Sequence, residues 1–382
     1  MAGAGYRSHR GNGGSGLTDN KIAEIDTAAL RHNFHQIHSR LKSGTAVMAM
    51  VKANAYGHGI ETVRPCLESA GVQFFGVSSS QEALELRALG CRSRVVVVGG
   101  TVVSDWPLLA AQHVEVAVHN PEQLSALLGW QDSVAESFRV HIKFDTGMNR
   151  IGLPARDAPM VLQKLSDAGC SERVAGVFTH FADADNAGSD FTRRQHTGFV
   201  PAVAAARKLT PSALLHCCNT AATLLYPEFH HDMVRPGLGL YGYGPEGVCD
   251  LRPVMTVRAM VTQVKKVAAG EFVGYGCTYQ AREDIKVATV CVGYADGVHR
   301  LQGNRGAVVL AGVRCPIIGA VSMDQITVDC SRADAVHVGQ WATLVGEGLW
   351  AEEVARASDT ISYEVLTSVS ARVRRVVPGT AV

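Results

Sequence analysis

An α/β fold, with a (β/α)₈ TIM-type barrel followed by a smaller, mainly antiparallel β-domain, is predicted by three features of the sequence. Short runs rich in Val, Ile and Phe alternate with stretches of helical periodicity between Ala46 and Leu240. Those runs number eight. From residue 253 the texture changes to Val- and Thr-rich strands divided by glycine turns, as in a sheet with one solvated face. The eight strand candidates cover 46–53, 74–77, 94–99, 114–118, 139–145, 174–180, 213–217 and 233–240. Between them lie segments such as SSQEALELRAL, with a serine start signal, and PEQLSALL, with proline in its first turn. A doubly wound sheet gives the same alternation, and only the count favours closure. In the second half a single helix-like segment, WAEEVARAS, interrupts the strands. The division that follows is a tail over 1–18, a barrel over 19–252 and a β-domain over 253–382.

Composition narrows the function. A chain of 382 residues suits two domains, each with its own core. Basic and acidic residues nearly cancel, 36 against 35, so no single-sign field draws in nucleic acid or an anionic membrane, and a small-molecule substrate fits better. The ten cysteines are scattered, only Cys217 and Cys218 are adjacent, and no C-x-x-C occurs. This argues against a disulfide framework or a metal site and implies reduced thiols and a cytoplasmic protein. Residues 1–16 are glycine-rich, lack the apolar stretch of a signal peptide, and read as a disordered tail. A short organelle-targeting remnant is the competing reading. No later run is apolar enough to span a bilayer.

The unusual polar residues gather at the carboxyl ends of the predicted barrel strands, where a barrel builds its active site. Lys52 lies near the end of the first strand, Lys143, followed closely by Arg150, ends the fifth, His180 ends the sixth, Asn219 and Thr220 follow the seventh, and Arg235 lies in the eighth. A lysine at the end of an apolar strand is partly desolvated, which lowers its pKa and makes it a nucleophile. An isolated strand-end lysine more often snorkels to water. Here Tyr56 and the glycines of GHG flank it and form a tight turn with a phenolic donor suited to a phosphate oxygen. In RVHIKFD, Arg139, His141, Lys143 and Asp145 alternate with Val140, Ile142 and Phe144. The apolar set packs outward, so Lys143 points into the barrel, where an ammonium beside Arg150 is a costly like-charge pair.

The stretch AMVKANAYGHG closely resembles the cofactor-lysine motif of alanine racemases. The resemblance runs from Ile22 to the carboxyl end through KFDTGMNRIG, THFADAD, HCCNTAATL, MVRPGLGLYG, VGYGCTY, VGYADG, SMDQ and SYEV. It implies a fold-type III pyridoxal-phosphate enzyme that forms a homodimer with shared active sites, interconverting L- and D-alanine for D-alanine biosynthesis by a two-base mechanism. Within it, Lys52 looks like the lysine that holds pyridoxal 5'-phosphate as a Schiff base and serves as acid or base on one face. Tyr275, supplied by the other subunit, resembles the acid or base on the opposite face. Its phenolate needs a positive neighbourhood, for which His180 and Arg235 are the expected suppliers. Arg235 resembles the residue facing the pyridine nitrogen; read alone, it is equally a phosphate ligand or a domain-interface ion pair. The phosphate cup is implied at Tyr56, Thr220, the amides of Gly237 and Leu238, and Tyr363. His180 resembles the residue against the cofactor ring, and Asn219 a supporting polar neighbour. Arg150 is implied as a ligand of the cofactor phenolate and the substrate carboxylate, Met323 as a substrate-binding residue from the partner, and Lys143 as a carbamylated lysine. Tyr363, Tyr294, Asp185, His216 and Arg300 match positions at the substrate entrance, whereas Ala320 stands where arginine is usual.

Gly237, Gly239 and Gly242 also spell the dinucleotide-binding G-x-G-x-x-G, but the following YGPEG cannot begin the long helix that pattern needs. A serine or broad-specificity racemase is the nearest alternative, and Tyr363, which narrows the space above the cofactor, favours alanine.

Overall fold

The structure, a computed structural model, describes residues 19–130, 138–186 and 188–379. The tail expected over 1–18 lies outside the described residues. Eight parallel strands form a closed barrel: Ala46–Met50, Phe74–Val77, Arg94–Val97, Val114–Val118, Val140–Asp145, Val174–Phe178, Leu214–His216 and Met233–Val234. The last pairs with the first through Met233 opposite Ala46 and Val234 opposite Val47, and Val114–Val118 pairs with Val140–Asp145. These pairings exclude a doubly wound sheet, which would leave two edges. Helices surround the barrel, among them Ser80–Ala88, capped by the Ser79 hydroxyl, and Pro121–Leu128, capped by Asn120.

Five barrel strands stop earlier than their sequence pattern does, and two of these stops bear on the site. The first ends at Met50, before Lys52. The eighth ends at Val234, because Pro236 cannot donate to the ladder and Gly237 turns the chain into a 3₁₀ segment, Leu238–Tyr241. Arg235 therefore leaves the strand end instead of lying within it.

The second sheet is mainly antiparallel and built around the 13-residue strand Met255–Val267, which pairs with Lys21–Ile25, Ile285–Val290 and Trp341–Val345. Lys21–Ile25 lies in the stretch that the sequence reading gives to the barrel. Its KIAEI alternation buries Ala23 and Ile25 against the second sheet, and it also pairs in parallel with Arg374–Val376. Two short helices follow, Ala351–Ala357 as expected and Ser362–Ser368, which the sequence pattern does not separate from its surroundings. Tyr363, Val365 and Thr367 alternate in that segment and are residue types that favour strand, so its local pattern does not point to a helix. That second helix is the one that carries Tyr363 to the barrel mouth.

Candidate active site

Between Val51 and Gly57 the backbone enters a left-handed turn, with φ of 53°, 52°, 55° and 52° at Ala53, Asn54, Ala55 and Tyr56. Each non-glycine residue in that conformation costs about 1–2 kcal/mol, so the surroundings must hold the turn in place. The Glu82 carboxylate accepts from the amides of Ala53 at 2.7 Å and Ser78 at 2.8 Å. The Asn54 side-chain oxygen accepts from the Ile60 amide at 2.8 Å, and the Arg375 guanidinium donates to the Gly57 carbonyl from Nε and Nη2. Gly57 is required there, since a Cβ would sit 2.1 Å from the Leu366 carbonyl oxygen. The result aims Lys52 into the mouth and turns Tyr56 inward onto Tyr241, ring centroids 4.9 Å apart.

One cavity of about 240 Å³ is lined by Lys52, Tyr56, Lys143, Arg150, His180, Asn219, Thr220, Arg235, Gly237, Leu238 and Tyr363, together with Met50, Val98 and Phe178. Eleven residues singled out from the sequence, spread from position 52 to position 363, thus share one chamber. Four are cationic side chains, and none of the lining residues is a carboxylate, so the chamber suits an anionic ligand. Burial lowers the Lys52 pKa, Arg150 lowers it further, and Glu82 opposes both. Lys143 is pushed down to about 7, first by burial and then by Arg235 and Arg150. His180 lies well below its ordinary value through burial and the charges of Arg235, Lys143, Arg150 and Lys52. It is a neutral ring, so the positive charge of the chamber comes from these four side chains and not from His180.

Around Gly237 the chamber is a cradle. The Thr220 hydroxyl accepts from the amides of Gly237 at 2.9 Å and Gly239 at 3.2 Å, and a Cβ on Gly237 would lie 2.3 Å from the Tyr56 hydroxyl oxygen. Asn219 caps the helix Thr220–Leu225 by accepting from the Ala222 amide at 3.0 Å, which fixes Thr220 in the cradle. Arg235 is buried, donating to the carbonyls of Thr179 at 2.7 Å and Cys217 at 3.1 Å and to Nδ1 of His216 at 2.7 Å and of His180 at 3.1 Å. Despite burial its pKa falls only to about 10, so it stays protonated at neutral pH. His216, expected at the entrance, is instead fully buried behind Arg235.

Tyr275 and Met323 are elsewhere. Tyr275 sits at the tip of the hairpin formed by Phe272–Val273 and Tyr279–Gln280, where Gly274 and Gly276 take φ of 76° and 72°. With Tyr294, Arg300, Ala320 and Met323 it lines a second cavity of about 730 Å³ on the β-domain. Tyr275 is 77% exposed there. Sequence reasoning missed Glu82, Phe178, Tyr241 and Arg375 because their roles lie in contacts distant in sequence. For Glu82 one local signal exists, its place three residues beyond the capping Ser79.

A closed barrel with a lysine in a cationic mouth, joined to a β-domain that displays an exposed tyrosine, defines a class of two-domain barrel enzyme acting on an anionic ligand. Residues 25–245 match the family model for the alanine racemase N-terminal domain, and residues 254–377 that for the alanine racemase C-terminal domain. An alanine racemase from Desulfovibrio desulfuricans is 37% identical over 93% of this chain and 97% of its own, and one from Symbiobacterium thermophilum 38% identical over 94% and 97%. Among solved structures, an alanine racemase from Streptomyces lavendulae superposes with a TM-score of 0.87 at 34% identity, covering 96% of this chain and 98% of its own. One from Bartonella henselae, described with covalently bound pyridoxal phosphate, gives 0.85 at 30%, covering 94% and 99%. The chain belongs to the alanine racemase family and is an isomerase of that kind.

Proposed function

We propose that the protein interconverts L-alanine and D-alanine with pyridoxal phosphate held by Lys52, using Lys52 and Tyr275 of the partner subunit as its two bases. One observation carries the reading. The expected cofactor groups line a single buried chamber, whereas Tyr275 stands 77% exposed on another domain beside Met323, as a group destined for a neighbour's chamber would. A homodimer with shared sites, a cytoplasmic location and a role in D-alanine biosynthesis accompany this reading. No helix among the described residues is long and apolar enough to cross a membrane.

The residues present fit the cofactor. Hydroxyls of Tyr56, Thr220 and Tyr363 and the amide of Leu238 offer donors to a phosphate, while the Gly237 amide, expected as a fifth donor, is taken by the Thr220 hydroxyl, and the missing Cβ of Gly237 lets the Tyr56 hydroxyl into the cradle. When bound, pyridoxal phosphate supplies an electron sink that acidifies the substrate Cα–H. Lys52, its pKa lowered, takes or returns the proton at Nζ on one face, and Tyr275 does so at its phenolic oxygen on the other. Arg235 keeps its own proton and donates to the ring nitrogen, which limits electron withdrawal and favours rapid return of the proton to Cα. Arg150 binds the substrate carboxylate, joined by the Met323 backbone of the partner subunit. Lys143 is suited to carbamylation, because its depressed pKa leaves neutral amine to form an N–C bond with CO₂, releasing a proton to water. The carbamate anion then holds Arg150 in place. His180 would present a neutral ring to the bound cofactor.

A racemisation assay of the purified protein over a panel of amino acids tests the proposal. Alanine is expected to turn over fastest. Faster turnover of serine would overturn the alanine assignment, and no turnover of any amino acid would overturn the reading as a whole.

A further inference from the structure

We propose that Glu115 is a positioning residue for Arg235, the terminal acceptor of a one-way file of hydrogen bonds that crosses the barrel interior through His141 and His216. The inference rests on the reading of Arg235 as the donor to the cofactor ring nitrogen.

The file is continuous. Arg235 Nη1 lies 2.7 Å from His216 Nδ1, His216 Nε2 lies 2.9 Å from His141 Nδ1, and His141 Nε2 lies 2.8 Å from Glu115 Oε2. At the far end Arg94 donates to both Glu115 oxygens from Nε and Nη2, its guanidinium 4.4 Å from the Phe74 ring centroid. Glu115, His141, His216 and Arg235 are all buried, on four different barrel strands or their ends. A barrel interior is ordinarily filled with branched apolar side chains, and a buried polar group without a partner costs about 1–3 kcal/mol.

Directionality follows from the chemistry of the ends. A guanidinium only donates, so Nδ1 of His216 must be unprotonated; neutral His216 then carries its proton on Nε2 and donates to His141. His141 in turn carries its proton on Nε2 and needs an acceptor, which the carboxylate provides. Burial alone raises the Glu115 pKa, but the hydrogen bonds from His141 and Arg94 outweigh it and hold the carboxyl at about 2, so at neutral pH it is a carboxylate that can only accept. With Glu115 in place, every member is satisfied in one proton arrangement only. Without it, the buried His141 Nε2–H is stranded. The relief is to reverse the file, which would put an Nδ1–H of His216 against Arg235, donor against donor, and displace the guanidinium from its place in the mouth.

Two further features show that the file is built. Gly176 makes space for it, because a Cβ there would lie 2.2 Å from His141 Nδ1. Phe178 stacks on His216 at 4.7 Å with an interplanar angle of 6°, holding the ring in the plane its two bonds require.

The test uses full-length protein labelled with [¹⁵N]histidine, whose imidazole shifts separate the two neutral tautomers, with His141 and His216 assigned by single substitution. In the cofactor-free wild type both are expected as Nε2–H tautomers. Glu115→Met removes the acceptor at similar volume, and is expected to move at least one of them to the Nδ1–H form and to weaken pyridoxal-phosphate binding about tenfold. Glu115→Gln still offers an oxygen to His141 while Arg94, half exposed, turns to water, so tautomers and affinity should return to within about twofold of wild type. Should Glu115→Met fail to fold with Arg94 left unpaired, Arg94→Met/Glu115→Met removes both charges and carries the same expectation. Unchanged tautomers in the folded Met variant would overturn the proposal, as would a Gln variant as impaired as the Met one. The tautomer measurement needs no turnover, so its failure is distinct from failure of the racemase reading.

Discussion

The chamber at the barrel mouth and the cavity on the β-domain hold their reactive groups in different ways. In the mouth, Arg235 is fixed by carbonyls and two histidines, Thr220 by two amides, and Lys52 by a left-handed turn clamped by Glu82 and Arg375. On the β-domain, Tyr275 rides on a two-stranded hairpin between glycines, with most of its surface in water. Rigid, desolvated groups suit a resident ligand, since their pKa shifts and orientation are set before anything binds. An exposed group on a turn acquires its environment only when another surface covers it. On the proposed function, the contrast fits cofactor retention by one domain and completion of the acid–base pair by the association of two chains.

Substitution of Lys52 tests the first half most severely. Lys52→Ala is expected to abolish racemisation and the absorbance of lysine-linked cofactor, read by assay and spectrum. Retention of both would remove Lys52 from its role. Tyr275→Phe is expected to lower exchange about 10²–10⁴-fold, but unequally for the two enantiomers, because only one face loses its base. Solvent deuterium wash-in, followed separately from L- and D-alanine, measures this, and equal losses would contradict the two-face assignment.

Mixing those two variants sharpens the comparison further. If the residues meet across subunits, each Lys52→Ala/Tyr275→Phe heterodimer contains one intact site, and random exchange at equal amounts should restore roughly a quarter of wild-type activity. Heterodimers confirmed by mass spectrometry but inactive would place both residues in one chain's site. A smaller effect is expected at the cradle. Gly237→Ala drives a Cβ against the Tyr56 hydroxyl and should weaken pyridoxal-phosphate binding about tenfold while leaving the β-domain surface untouched, as titration of the cofactor-free protein would show.

The mildest expectation concerns pH. Lys143, with its pKa pushed down to about 7, is mostly ammonium below that pH and mostly free amine above it. Only the amine reacts with CO₂, so carbamate occupancy, followed by ¹³C NMR in labelled bicarbonate, should rise as pH increases through 7. The same shift sets the sign for stability. Between the folded pKa and the ordinary lysine value the unfolded chain binds more protons, so this residue's contribution to stability rises with pH across that window. Occupancy that fell with pH would refute the assignment of an amine at this position.

Much of the molecule was legible in the residues themselves. Strand and helix periods pointed to the repeating barrel units, and the motif around Lys52 together with those containing Arg150, His180, Thr220 and Arg235 pointed to the residues that line the chamber, because both kinds of signal are local. Tertiary structure alone decided the rest. Closure depends on pairing Met233–Val234 with Ala46–Met50, a contact between segments far apart in sequence. The strand Lys21–Ile25 joined the second sheet because Met255–Val267 offered it a ladder. The left-handed turn at Ala53–Tyr56 goes against the intrinsic preference of its alanines and is held by Glu82, Asn54 and Arg375. His216 read as an entrance residue until the barrel register placed it behind Arg235, in line with His141 and Glu115. Periodicity tells which side chains point into a barrel, but only the stagger of the closed strands determines which of them meet there.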